Sequence, residues 1–166
     1  SETNHPYSLP EAHRYFAGAC LETAAGLLRQ PTTTAEQNQL LETVAQTGYY
    51  HNLHTQDKTA FVRCLWMLAK VYAAMCNSAK SLYFARKCRS ESGEYREENA
   101  LAYAYACEAM GRAYDAGQQP EQAHGYLQLA LDVADTIANE QENRQFLDDF
   151  SLPCTDGQQH SRTTCR

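Results

Sequence analysis

The chain is predicted to fold as an all-α stack of helical hairpins, and three observations carry that expectation. Apolar residues recur at spacings of three and four along nearly its whole length, the repeat of a helix with one buried face. Helix-start chemistry stands where these stripes begin, and Gly or Pro stands where they end. Finally, residues 106–138 place Met110, Gly111 and Tyr114 before a Gly-Gln-Gln-Pro turn, with Ala123, Leu127 and Ala130 after it. Small and large apolar residues at those offsets suit two helices that pack closely side by side.

Seven helices and no strands are expected. Ser8 and Glu11 have the spacing of a capping box, in which a hydroxyl and a carboxylate satisfy free N–H groups at a helix start. Phe16, Cys20, Thr23 and Leu27 form the stripe that follows, and Pro31 ends this helix. Thr33 and Glu36 repeat the spacing for a second helix containing Leu40, Leu41 and Val44, which is expected to stop near Gly48. Residues 49–55 read as a connector. The third helix, about 57–76, has two stripes: Phe61, Leu65, Leu68, Tyr72 and Met75, and Val62, Trp66, Ala69, Ala73 and Cys76. A helix apolar on two faces belongs between neighbours.

Asn77 and Ser78 break and cap. A fourth helix runs to about Arg89, its last turn basic as the negative end of a helix dipole favours. Ser92 is the expected cap of a fifth helix reaching Ala116, with Glu94, Glu97 and Glu98 at its positive end. Gly117 closes it, and Pro120 opens the sixth, where the missing N–H costs nothing. Asn139 and Glu142 mark a short last helix to Phe150. The expected organisation is therefore a tail over 1–7, one helical domain over 8–150 and a flexible polar tail over 151–166.

Composition bounds the function. At 166 residues, 43% hydrophobic and 20% charged, this is one globular domain with enough chain to bury a core unaided. No apolar run approaches the roughly 20 residues of a membrane span, and residues 1–11 lack the basic-then-apolar order of a secretory signal. The net charge of −6 argues against general nucleic-acid binding. It hides an asymmetry, however: residues 57–90 hold seven basic groups and one acidic. Seven cysteines are scattered, without a Cys-x-x-Cys zinc signature. Most lie on apolar helix faces and read as reduced, which suits the cytoplasm; Cys154 and Cys165 are placed to pair or oxidise.

The spacing over 106–138 resembles a tetratricopeptide (TPR) repeat. Cys107, Leu127 and Asp135 depart from its Trp, Phe and Pro. The preceding unit offers Leu65, Leu68, Ala69 and Tyr72, with Ser78, Leu82 and Ala85 following if its turn is three residues shorter. The units lie 42 residues apart, from Ala69 to Gly111, against the motif's roughly 34, and residues 8–50 match only as a helix pair. Residues 101–114 (LAYAYACEAMGRAY) and 137–150 (IANEQENRQFLDDF) are similar to a group of small bacterial TPR-like proteins. The resemblance implies a right-handed superhelix of about three hairpins with a short C-terminal capping helix. It also implies a non-enzymatic module that binds protein or peptide, with homodimerisation through the terminal helices as an option.

In that arrangement the first helix of each pair lines a concave face. Arg63, Trp66 and Lys70 then face Tyr105, Glu108 and Arg112 across a groove suited to a peptide with acidic groups. The competing readings are a solvated basic face, with Trp66 and Tyr105 packed against neighbours, and a groove filled by the C-terminal helix. No cofactor motif is present. His51 and His54, three apart, are metal-ligand candidates with Asp57 or a nearby Glu. The alternative expectation is a helical small-ligand or metal-binding protein, with an enzyme as an option, that uses this connector and the tyrosines. The structural reading packs Tyr49, Tyr50 and His51 between helix pairs. His13 and His124 read as lone histidines. A nucleophilic Cys64 or Cys107 requires a nearby His and a lowered pKa.

Overall fold

The computed structural model describes residues 6–31 and 34–153. Within them are seven α-helices and no strand: α1 (Leu9–Leu28), α2 (Ala35–Asn52), α3 (Lys58–Ala74), α4 (Ser78–Ser92), α5 (Ala100–Ala116), α6 (Pro120–Ala134) and α7 (Glu140–Phe150). A 3-10 turn, Glu97–Asn99, precedes α5. Consecutive helices pack as α1 with α2, α3 with α4 and α5 with α6, as short connections require. α3 also packs on α1, α2 and α5, which makes it the centre of the stack. Its two apolar stripes have this cause: eleven of its seventeen residues are buried, and so are eleven of the seventeen in α5. The arrangement is compatible with a helical repeat. Among the described residues no helix is long and apolar enough to cross a membrane.

The helix starts follow the expected chemistry with one shift. Ser8 and Glu11 form a complete capping box, and so do Thr34 and Gln37, one residue later than the Thr33–Glu36 spacing suggested. Thr33 itself lies outside the described residues. Asp57, Asn77 and Asn139 cap α3, α4 and α7 through their side chains. α2 continues through Gly48 to Asn52, because Gly48 is where α1 and α2 approach: a Cβ there would stand 3.1 Å from the Cβ of Cys20. Ser92 ends α4 rather than capping α5. Its hydroxyl donates to the Arg89 carbonyl, while Asn99 organises the next turn by bonding the Ser92 and Glu94 carbonyls.

The turns of the α3–α4 and α5–α6 hairpins match more closely than their side chains do. Cys76 and Gln118, 42 residues apart, both have positive φ, 55° and 57°. Asn77 N–H donates back to the Tyr72 carbonyl and Gln119 N–H to the Tyr114 carbonyl, both at 2.9 Å. This is the six-to-one bond of a Schellman helix stop, made twice at one offset. The two turns are equal in length, so the shorter first turn expected from the sequence is corrected. The partners of Ala123, Leu127 and Ala130 become Ser81, Ala85 and Cys88, all three fully buried.

Volume is exchanged between the two units. A Cβ on Gly111 would lie 2.7 Å from the Leu127 side chain, so glycine is required opposite leucine. Equivalent positions in the first unit carry Ala69 and Ala85, each buried completely. Close packing of helix pairs is preserved by complementary sizes, not by the same residues.

The tail expected from residue 151 begins later, since Leu152 is buried in the core. The tail expectations for 1–5 and 154–166, and the pairing of Cys154 with Cys165, fall outside the described residues. Cys20, Cys64, Cys88 and Cys107 are free thiols. The expectation of reduced cysteines fails at Cys76, which is disulfide-bonded.

Candidate functional site

All six groove residues come together. Arg63, Trp66 and Lys70 stand at i, i+3 and i+7 of α3, and Tyr105, Glu108 and Arg112 repeat that spacing on α5, so each trio shares one helix face. The α3–α5 packing brings the faces into register. Lys70, Trp66, Tyr105 and Glu108 are fully buried, so the solvated-face reading is corrected. What covers them is α7.

Glu108 is the hub of the α3–α5 half. Its Oε1 accepts from Lys70 Nζ at 2.7 Å and from Arg112 Nε at 2.9 Å, and its Oε2 accepts from the Trp66 indole N–H. The Lys70 ammonium also lies 5.0 Å from the centre of the Trp66 ring, a cation–π distance. A carboxylate in this position is affordable only with several charge-assisted donors around it.

α7 supplies the second half. Phe146 is fully buried and meets the Tyr105 ring edge-on at 5.1 Å. The Asp149 carboxylate accepts from Arg63 Nε at 2.9 Å and from the Tyr105 hydroxyl at 2.5 Å. With its amide turned to the orientation its surroundings satisfy, Gln145 accepts from the same guanidinium. Lys70 Nζ donates to the Asp149 carbonyl at 2.7 Å, and Arg112 donates to the Phe150 carbonyl at 2.9 Å while lying over the Phe150 ring.

Those two carbonyls belong to the last turn of α7, which carries the negative end of the helix dipole, and the Asp149 carbonyl also accepts from the Leu152 N–H at 3.2 Å. The site therefore holds the C-terminal end of α7 through one carboxylate, two aromatic rings and its last carbonyls. Three cations face two carboxylates, and the helix end supplies the rest of the negative potential. Among the described residues no buried side-chain polar atom lacks a partner. Burial is the main cause that raises the Tyr105 hydroxyl far above the usual tyrosine range, so it remains a donor to Asp149.

Reading residue types alone missed Gln145, Phe146, Asp149 and Phe150. A signal was present: Phe146, Asp149 and Phe150 share one face of a helix whose other residues are polar except Leu147. The other end of α7 is tied down as well, where Asn143 donates to the Ala134 carbonyl at the end of α6.

The thiols do not meet the requirement for a nucleophile. Burial pushes Cys64 and Cys107 up to about 12, and Cys88 well above its ordinary value. His51 and His54 are joined by His13 of α1, which is thus not a lone histidine. The His13 and His51 Nδ1 atoms are 2.9 Å apart, and the His54 ring stacks on His13 at 4.5 Å. Stacked rings direct their lone pairs side by side rather than at one point, and Asp57 Oδ1 accepts instead from the Ala60 N–H. Among the described residues no group of three or more His, Cys, Asp or Glu is placed to hold a metal ion. Tyr49 does pack between helices, against Phe61 and Phe84, while Tyr50 is largely exposed.

The histidine cluster has a pH consequence. Desolvation, with His54 and His51 adding to it, lowers the His13 pKa, so the folded chain binds fewer protons there than the unfolded chain. That contribution to stability is present above the ordinary histidine pKa and is lost as pH falls through the lowered folded value. Acidification from pH 7.5 to 5 is expected to reduce the melting temperature of the wild type more than that of His13→Gln. Parallel curves would count against the coupling.

No family model, curated protein or solved structure matches this chain. Fold and site together define a class only, an all-α protein compatible with a helical repeat whose inner face holds a helix of its own.

Proposed function

We propose that this chain is a TPR-like, non-enzymatic protein-interaction module. In this reading α1–α6 are three hairpins of a right-handed superhelix and α7 is the capping helix, as in the small bacterial TPR-like proteins it resembles. Its partner is a protein segment that presents a helix end with an acidic residue between aromatic anchors. One observation carries the proposal: Arg63, Lys70, Tyr105 and Arg112 grip α7 by its carboxylate, its rings and its terminal carbonyls, with Glu108 and Trp66 bonded behind them. The doubled 42-residue offset of turns and groove residues supports the repeat. Self-association draws support from α1, where Leu9, Tyr15 and Phe16 are exposed.

A resident helix competes with any partner at an effective concentration of order millimolar. Binding in trans should therefore be weak until α7 is loosened. A fluorescent peptide reproducing residues 139–153 tests this against the full chain. Asp149→Asn in the protein is expected to tighten peptide binding by about tenfold, since it removes charge-assisted bonds worth ~1.5–3 kcal/mol from the competitor. The same change in the peptide should weaken binding comparably. A folded Asp149→Asn protein that takes up no peptide would overturn the proposal.

A further inference from the structure

A cavity of about 190 Å³ lies where α1 and α2 meet α3, sharing only Arg63 with the groove. Each helix contributes small residues to its wall: Ala17 and Gly18, Ala45 and Gly48, Ala60 and Cys64. The opening is a half-open cleft: Ala17, Ala45 and Gly48 in its wall are buried, while Arg14 and Gly18 are exposed at its mouth, and a Cβ on Gly18 would meet nothing within 4 Å. For scale, an apolar cavity of roughly 150 Å³ accepts benzene.

Three charged residues also border the space. Asp57 is engaged as the cap of α3, and Arg63 holds Asp149 on the groove side. Arg14 is exposed on α1. Its acidic neighbour one turn earlier, Glu11, is held chiefly by the N–H and hydroxyl of Ser8, with a smaller attraction to Arg14. The border therefore offers an accessible guanidinium beside an apolar hole, the pairing that suits an anion with a compact hydrophobic body. We infer that this cavity is a binding site for a small organic carboxylate, its ring or short chain among Ala17, Gly18 and Ala45 and its carboxylate at Arg14.

Benzoate and its uncharged analogue benzyl alcohol, titrated into the full chain and followed by amide NMR, test the site. Benzoate is expected to shift the Gly18 and Gly48 resonances saturably. Arg14→Gln should weaken benzoate by about tenfold, the loss of one charge-assisted hydrogen bond, and leave benzyl alcohol nearly unchanged. Gly18→Leu should fill the cavity and abolish both, with Ala60→Leu as the second block if Gly18→Leu does not fold. The absence of a saturable shift, equal loss of both probes in Arg14→Gln, or undiminished binding in a folded cavity-filled variant would each overturn the inference.

Discussion

Replacing Lys70 with Met is expected to lower the free energy of unfolding by about 3–5 kcal/mol, the largest effect of any single change considered for this chain. Met matches the length and volume of the lysine stem, so the loss is electrostatic and not a cavity. The Lys70 ammonium lies within 2.7 Å of both Glu108 Oε1 and the Asp149 carbonyl. Without it the fully buried Glu108 keeps only Trp66 and Arg112, and the Asp149 carbonyl loses its side-chain donor. Removing one partner of a buried pair leaves a charge in low dielectric, whereas replacing both by apolar groups is frequently neutral. The Lys70→Met/Glu108→Leu double variant should therefore recover much of the loss. Urea denaturation of the two single variants and the double one measures this directly. A double variant as unstable as the sum of the singles would show that the pair is not coupled.

Phe146→Ala is expected to release α7 without unfolding the rest. Truncating a fully buried phenylalanine costs about 3–5 kcal/mol in a cooperative core. An eleven-residue helix is marginal by itself and leans on its docking face for stability. The loss should therefore appear as local opening, bounded by the docking free energy of α7. Amides of α7 are expected to exchange at least about a hundredfold faster, while those in the middle of α3 and α5 stay protected. Uniform loss of protection in all helices would mean that α7 is an inseparable part of the core. That outcome would also remove the physical basis for exchanging it with a partner.

Local chemistry foretold most of the helices because each one is announced within a few residues. Ser8 and Asn139 satisfy N–H groups two or three positions ahead, and Pro120 stands at the first helical position of α6. The stripes on α3 announced burial on two sides for the same reason. Errors gathered where distance along the chain mattered. Gly48 looked like a helix stop, but its missing Cβ admits Cys20 of α1. The first repeat unit was misaligned because the eye follows Leu82, while the backbone repeats at Cys76 and Gln118, neither of them a usual residue for positive φ.

The groove shows the same division. From spacing, Arg63, Trp66 and Lys70 had to share one face of a helix, and Tyr105, Glu108 and Arg112 another, because 3.6 residues per turn requires it. The sequence by itself thus determined an all-α chain, the composition of two polar-aromatic faces and their 42-residue relationship. Only the tertiary structure decided that the faces meet, that Glu108 gathers Lys70 and Arg112, and that Asp149 and Phe146 of α7 close the site. Helical periodicity is a short-range property of the backbone, whereas the partner of a buried charge is chosen among all segments that can reach it.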